Sequence, residues 1–108
     1  MKQVVNIVAV AGGTTSYTEW YDRFSVEEFP SKIQVFAHSN VALKITVQES
    51  DFVEATPTQN VLVNEASITA YTLYASAELT LTKRYYQIKI ENVEEAVALV
   101  NAIIDITA

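Results

Sequence analysis

Apolar side chains recur at every second position over most of the chain, and Val, Ile, Thr, Tyr and Phe carry the alternation. These side chains suit a pleated, half-buried surface, so the pattern predicts a mainly β protein. Gln3 to Ala11 reads as a first strand, ended by Gly12-Gly13, the only glycines in the chain and its clearest point of backbone freedom. Tyr17 to Val26 reads as a second strand. It places Tyr17, Glu19, Tyr21, Arg23 and Ser25 on one side and Thr18, Trp20, Asp22, Phe24 and Val26 on the other. Both sides carry aromatics, so one of them is expected to meet something other than the chain's own core.

Pro30-Ser31 breaks the pattern before Ile33 to His38, and Ser39-Asn40 has turn chemistry leading into Ala42 to Gln48, which predicts a hairpin. Glu49 to Asn60 is polar, contains Pro57 and reads as an excursion loop at one end of the fold. Val61 to Val63, Ser67 to Ala75, Leu79 to Thr82 and Arg84 to Glu91 supply further strands. The last segment has two readings. Asn92 followed by Glu95 has the form of a helix capping box, with Val93, Val97, Val100 and Ile104 at helical spacing. The even positions from Ala96 to Ile106 also alternate cleanly, and the β-rich run Ile103 to Thr107 favours a strand over a short helix near the C-terminus. About seven or eight short strands within a single domain spanning 1–108 predict an all-β, two-sheet antiparallel sandwich of jelly-roll type.

Composition narrows the function classes. The chain has 108 residues, half of them apolar and 19% charged, enough core material for one folded domain. With 7 basic and 13 acidic side chains its net charge is −6, which offers no positive field for a phosphate backbone, so nucleic acid is not an expected partner. The absence of cysteine removes disulfides and thiolate metal sites. The opening stretch Val4 to Ala11, interrupted by Asn6, is too short and polar for a signal-peptide core or a membrane span, so neither standard secretion nor a membrane is expected.

Candidate chemistry is sparse. The single histidine, His38, adjoins Ser39, too close in sequence to form a nucleophile and base pair, and no spacing singles out two carboxylates for acid and base work. Gly12-Gly13-Thr14-Thr15 lacks the Lys-Ser/Thr ending of a P-loop. The oxygen-rich Gln48 to Asp51 run and Asn60 with Glu65 lack the ordered spacing of a calcium loop. No catalytic residue, metal or cofactor is therefore expected, and the chain reads as non-enzymatic. Lys83-Arg84 is expected to pair with neighbouring acids. The aromatic set Tyr17, Trp20, Tyr21, Phe24 and Phe29 is the candidate contact surface, since aromatics supply large contact area at small entropic cost.

Two stretches together carry a family likeness: Lys32 to Phe36 running through Leu43 to Asp51, and Lys83 to Asn92. They resemble the small β-sandwich domains of bacteriophage and related virion proteins. There a strand ending in a Ser-Asp corner precedes a long loop, and an Arg-Tyr strand ending in an Asn turn comes near the end. The Arg-Tyr strand is also similar to one in discoidin-like carbohydrate-binding jelly rolls. At the corner, Phe52-Val53 stand in place of the Asp and Gly that often follow. The virion likeness implies a capsid decoration protein or a minor coat, head or tail component. It would assemble in the host cytoplasm and bind a capsid lattice and itself, as a trimer or larger array. High apolar content in so small a domain and the apolar terminal strands point the same way. The alternative is a carbohydrate-binding or adhesion module using Trp20, Tyr21 and loop carboxylates, and a small hydrolase is a third option.

Overall fold

The computed structural model describes residues 2–25, 31–53 and 60–107. Its strands are β1 (Lys2–Val4), β2 (Ala9–Val10), β3 (Thr14–Tyr17), β4 (Tyr21–Asp22), β5 (Lys32–Ser39), β6 (Leu43–Ser50), β7 (Val61–Ile68), β8 (Tyr74–Ala75), β9 (Leu79–Thr80), β10 (Tyr85–Asn92) and β11 (Ala98–Thr107), with one 3-10 turn at Arg23–Ser25. One sheet has the order β1-β11-β5-β8, with β2 beside β11 and β9 beside β5; the other has the order β3-β10-β6-β7, with β4 beside β10. Three of the edge strands are broken in two, and counting each broken pair once leaves four strands facing four. Only β6 and β7 are both consecutive in sequence and paired within one sheet; the other connections cross between sheets. That connectivity is the jelly roll, two Greek keys wrapped around one core.

The core lies between the sheets and follows the alternation read from the chain. Ile33, Val35 and Ala37 of β5 and Val100, Ala102, Ile104 and Ile106 of β11 face Leu43, Ile45 and Val47 of β6 and Tyr86, Ile88 and Ile90 of β10, all buried. Each fully buried aliphatic side chain contributes about 1.5 to 3 kcal/mol relative to exposure, which makes these four strands the stable centre.

Several sequence expectations change in three dimensions. The Gln3 to Ala11 strand divides, because the register on β11 slips by one residue between Val4↔Ile103 and Ala9↔Leu99. Val5 and Ile7 still reach the core across the break. The Tyr17 to Val26 strand divides in the same way, with Thr18 at the break. The Thr18 backbone N–H donates to the Ile88 carbonyl (2.9 Å), and its hydroxyl accepts from the Ile88 N–H (3.0 Å). The expected hairpin of Ile33 to His38 with Ala42 to Gln48 does not form: β5 and β6 lie in opposite sheets and pair with β11 and β10 instead. Ser39 to Ala42 is an arch between layers, because both strands must turn their apolar rows onto the same core from opposite sides. Ser67 to Ala75 also crosses the sandwich, ending β7 at Ile68 and starting β8 at Tyr74. No helix forms near the C-terminus; 93–97 is a loop and the strand reading holds from Ala98. β11 is an interior strand, paired with β1 and β2 on one side and β5 on the other, so it is not free to extend a neighbour's sheet.

Candidate functional site

Among the described residues, the aromatics singled out from the sequence differ in exposure. Tyr17 ends β3 with its ring exposed on the outer side of the sheet. Trp20 is half-buried in the link between β3 and β4. Tyr21 is buried among core residues, and its ring lies 5.2 Å from that of Tyr86. Burial pushes the hydroxyl pKa of both tyrosines upward. Phe24 is exposed between two guanidinium groups, with Arg23 at 5.5 Å and Arg84 at 5.2 Å from its ring centre. Phe29, and the excursion-loop residues 54–59, lie outside the described residues.

Arg84 is held in place by Asp22 through a two-pronged pair, Nε to Oδ1 at 3.0 Å and Nη2 to Oδ2 at 2.9 Å. The guanidinium holds the Asp22 carboxyl below the usual carboxylate range. Lys83 pairs with Asp51 at 3.2 Å, so both basic residues meet acids as expected. His38 and Ser39 point to opposite sides of β5. The imidazole sits half-buried on the outer face, edge-on to Tyr71, while the Ser39 hydroxyl is fully buried and accepts from the Val41 N–H. The buried carboxylate Glu49 accepts from the Thr82 N–H (2.9 Å), the Thr82 hydroxyl (3.0 Å) and the Lys83 N–H (3.2 Å). It ties the β9 to β10 connection onto β6. Among the described residues no three His, Cys, Asp or Glu side chains gather as metal ligands.

The two outer faces differ. On the β3-β10-β6-β7 sheet the register aligns Tyr17, Lys89, Thr46 and Glu65 in one row and Thr15, Glu91, Lys44 and Ser67 in the next. Lys44 bridges Glu65 (3.1 Å) and Glu91 (3.9 Å), and Lys89 approaches Glu91 (3.9 Å), so this face is polar and laced with ion pairs. On the β1-β11-β5-β8 sheet the register places Val4, Ile103, Phe36 and Ala75 side by side across four strands. Val4 is 65% exposed and Ile103 39%. Farther along β11, exposed Leu99 adjoins Ala9. The row of Val4, Ile103 and Phe36 runs between two polar rows, Lys2, Asp105 and Gln34 on one side and Asn101 with His38 on the other, and the Lys2 ammonium, paired with Asp105, lies 5.9 Å from the centre of the Phe36 ring.

This apolar row escaped the sequence reading because its members come from four distant segments. The signal within β11 was that Leu99 and Ile103 accompany Asn101 and Asp105 on the side opposite the core row, so that the outer side of β11 mixes apolar and polar residues.

At one end of the sandwich residues 40–42, Ala70 and 93–96 line an open hollow of about 660 Å³. The 93–97 loop is rigidly held. Buried Asn92 donates from Nδ2 to the carbonyls of Val10 (3.0 Å) and Ala96 (2.8 Å), and its Oδ1 accepts from the Glu94 N–H (3.0 Å). The Gly13 N–H donates to the Glu94 carbonyl (3.0 Å). At Gly12 the Glu95 carbonyl occupies the place where a Cβ would stand, so glycine is required there by contact. Gly13 has φ of 69° with open space around it, so glycine serves there by conformation. Tyr71 adopts φ of 56°, rare for an aromatic residue, with its N–H bonded to the Ser39 carbonyl (2.8 Å).

Strand order and burial together define the class: an antiparallel jelly-roll β-sandwich. No family model matches the chain, and no curated protein matches its sequence. Among solved structures it is similar to the PBSX exported protein XepA, with a TM-score of 0.87 at 18% identity, over 100% of this chain and 37% of that one. The chain thus spans little more than a third of XepA. It is also similar to PirA, with a TM-score of 0.61 at 9% identity, over 98% of this chain and 93% of that one. The overlap with the carbohydrate-binding module CBM36, in complex with calcium and xylotriose, has a TM-score of 0.44 at 13% identity and carries no argument. At these identities the likeness shows the β-sandwich fold.

Proposed function

We propose that the chain is a non-enzymatic structural module of a phage particle, a capsid decoration protein or a minor coat, head or tail component, that binds protein subunits through its sandwich surface. The observation that carries this reading is the apolar row of Val4, Ile103, Phe36 and Ala75 on the outer side of the β1-β11-β5-β8 sheet. An antiparallel sheet with one solvated side ordinarily alternates apolar inward and polar outward. The β1-β11-β5-β8 sheet instead sets Val4, Ile103 and Phe36 in a row on its outer side, between a row of Lys2, Asp105 and Gln34 and a row of Asn101 and His38. Exposed apolar surface of this kind marks protein contact. The fold shared with a phage protein, XepA, agrees with a phage origin. The test is to band particles from the producing cell by density and quantify the chain in them by mass spectrometry. The chain is expected in fixed ratio to the major shell protein, and Ile103→Glu is expected to remove it from the band. A chain that stays in the soluble fraction while particles form normally refutes the reading.

A glycan-binding module is the second reading, favoured by one observation. The exposed Tyr17 ring borders a hollow of about 260 Å³ that Asn6 and Glu19 also line. An aromatic face beside an amide and a carboxylate can stack on a sugar ring and bond its hydroxyls. On that reading a glycan array gives signals that Tyr17→Ala abolishes, and an array without signals removes it.

A further inference from the structure

We infer that the hollow lined by residues 40–42, Ala70 and 93–96 docks a protein segment that presents a lysine or arginine beside apolar side chains. This surface lies at the end of the sandwich, apart from the sheet row read above as a contact with particle subunits, and its occupancy does not depend on that reading. Val41, Ala42, Ala70, Val93 and Ala96 supply its apolar wall. Val93, which is 78% exposed, and Ala42 also border a second hollow of about 210 Å³ over Leu43 and Ile68. The apolar surface is held in shape. Asn92 fixes the 93–97 loop from within, and Asn40 ties it from the other side, donating to the Val97 carbonyl (3.3 Å) and accepting from the Leu99 N–H (2.6 Å). A surface ordered in advance loses little further entropy when a partner docks.

Charge selects the occupant. Every lysine of the chain is already in an ion pair: Lys2, Lys32, Lys44, Lys83 and Lys89. Arg84 is held by Asp22, and Arg23 donates to the Lys83 carbonyl at 2.6 Å. Most acids among the described residues are matched in those pairs, and Glu49 is buried under three donors. Glu94 and Glu95 stand side by side in the wall of the hollow, exposed, with no ion pair among the described residues. Glu19 shares that condition, in the link between β3 and β4. The matching cation for Glu94 and Glu95 therefore comes from outside the chain, whose net charge of −6 also repels acidic partners. The apolar wall beside the two carboxylates favours a cation carried on a chain with apolar neighbours over a free metal ion. Backbone strain points the same way. Ala70 of the wall is followed by Tyr71, which is 74% exposed and has φ of 56°, held by its N–H bond to the Ser39 carbonyl (2.8 Å). Glycine would take that backbone without strain, so what tyrosine adds is its exposed ring. An aromatic face one residue from a wall with two carboxylates suits a cation.

The experiment is an NMR titration of the isotope-labelled full chain with three acetylated peptide amides: Gly-Lys-Val-Leu-Gly, its Glu-for-Lys analogue and an analogue with Ser-Ser for Val-Leu. The first is expected to move the amide signals of residues 40–44, 67–71 and 93–96 along a saturating curve. Affinity is expected to fall about fivefold or more for either analogue, for Val93→Ser and for the double variant Glu94→Gln with Glu95→Gln, the scale of one surface contact. Tyr71→Gly is expected to weaken binding while keeping the fold, because glycine suits the left-handed backbone there. The control Glu78→Gln, beside Lys32 at the opposite end of β5, leaves the affinity unchanged. Signals that do not move at those residues up to millimolar peptide overturn the inference. So do equal affinities for the three peptides, which would mean that charge and apolar wall are not read together, and so does binding indifferent to the Val93 and Glu94/Glu95 variants. The sheet row of Val4, Ile103 and Phe36 is untouched in every sample, so the outcome bears on this end of the sandwich alone and the particle assay decides the virion reading separately.

Discussion

Asn92 offers a direct test of how the end loops are held. Asn92→Ala removes three hydrogen bonds, of 3.0, 2.8 and 3.0 Å, from a side chain that is 1% exposed. A net contribution of about 1 kcal/mol for each gives a loss of about 3 kcal/mol. At about 4 to 8 °C per kcal/mol for a domain near this size, that is a fall in Tm on the order of 15 °C. Asn92→Asp separates the bonds from the shape. It keeps the acceptor toward Glu94 but turns a carboxyl oxygen toward the carbonyls of Val10 and Ala96, where two donor hydrogens stood. A buried carboxylate facing carbonyl oxygens is disfavoured when ionised, so the folded-state pKa of the new acid rises above its unfolded value of about 3.9. The folded state then keeps a proton that the unfolded chain has released. The variant therefore loses stability relative to wild type as pH rises above about 4, and regains it below. Urea unfolding of wild type and both variants at acid and neutral pH measures this through the midpoints at constant slope. A cost for Asn92→Ala under about 1 kcal/mol, or a deficit for Asn92→Asp that does not grow with pH, would refute the reasoning.

Other expectations follow from the same structure. Glu49→Ala strips three donors at Thr82 and Lys83 of a charged acceptor and is expected to cost about 3 kcal/mol, with Glu49→Gln costing less because it keeps one acceptor oxygen; chemical unfolding of both variants measures the order. Gly12→Ala is expected to destabilise more than Gly13→Ala, because the first drives a Cβ into the Glu95 carbonyl while the second meets only the left-handed backbone, at about 1 to 2 kcal/mol. Equal thermal shifts for the two glycine variants would contradict that account. Burial raises the Tyr21 and Tyr86 pKa values, so the folded state holds those protons longer than the unfolded chain, and stability falls as pH rises past about 10. Absorbance titration should show their ionisation coinciding with unfolding, and Tyr86→Phe should remove part of that step.

The β class and the apolar rows of β6, β10 and β11 were legible because alternation is a local property. A residue two places along the strand faces the same way whatever lies across from it. The same logic separated strand from helix after Ala98. The capping-box pattern at Asn92 and Glu95 misled for a physical reason: the Asn92 side chain accepts from the Glu94 N–H, as a cap does, but its other bonds go to Val10 and Ala96 and hold a loop. Of the contact residues named from the sequence, Tyr17 and Phe24 are exposed, while Tyr21 is absorbed by Tyr86, a partner far along the chain.

By itself the sequence determined that this chain folds as a β-sandwich and which strands alternate apolar with polar side chains, because strand period and side-chain type need no knowledge of neighbours. Only the tertiary structure decided that β5 and β6 part into opposite sheets and that Val4, Phe36, Ala75 and Ile103 meet in one apolar row. Pairing and face composition arise from contacts between residues distant in the chain, and the period within one strand carries no information about which strand lies beside it.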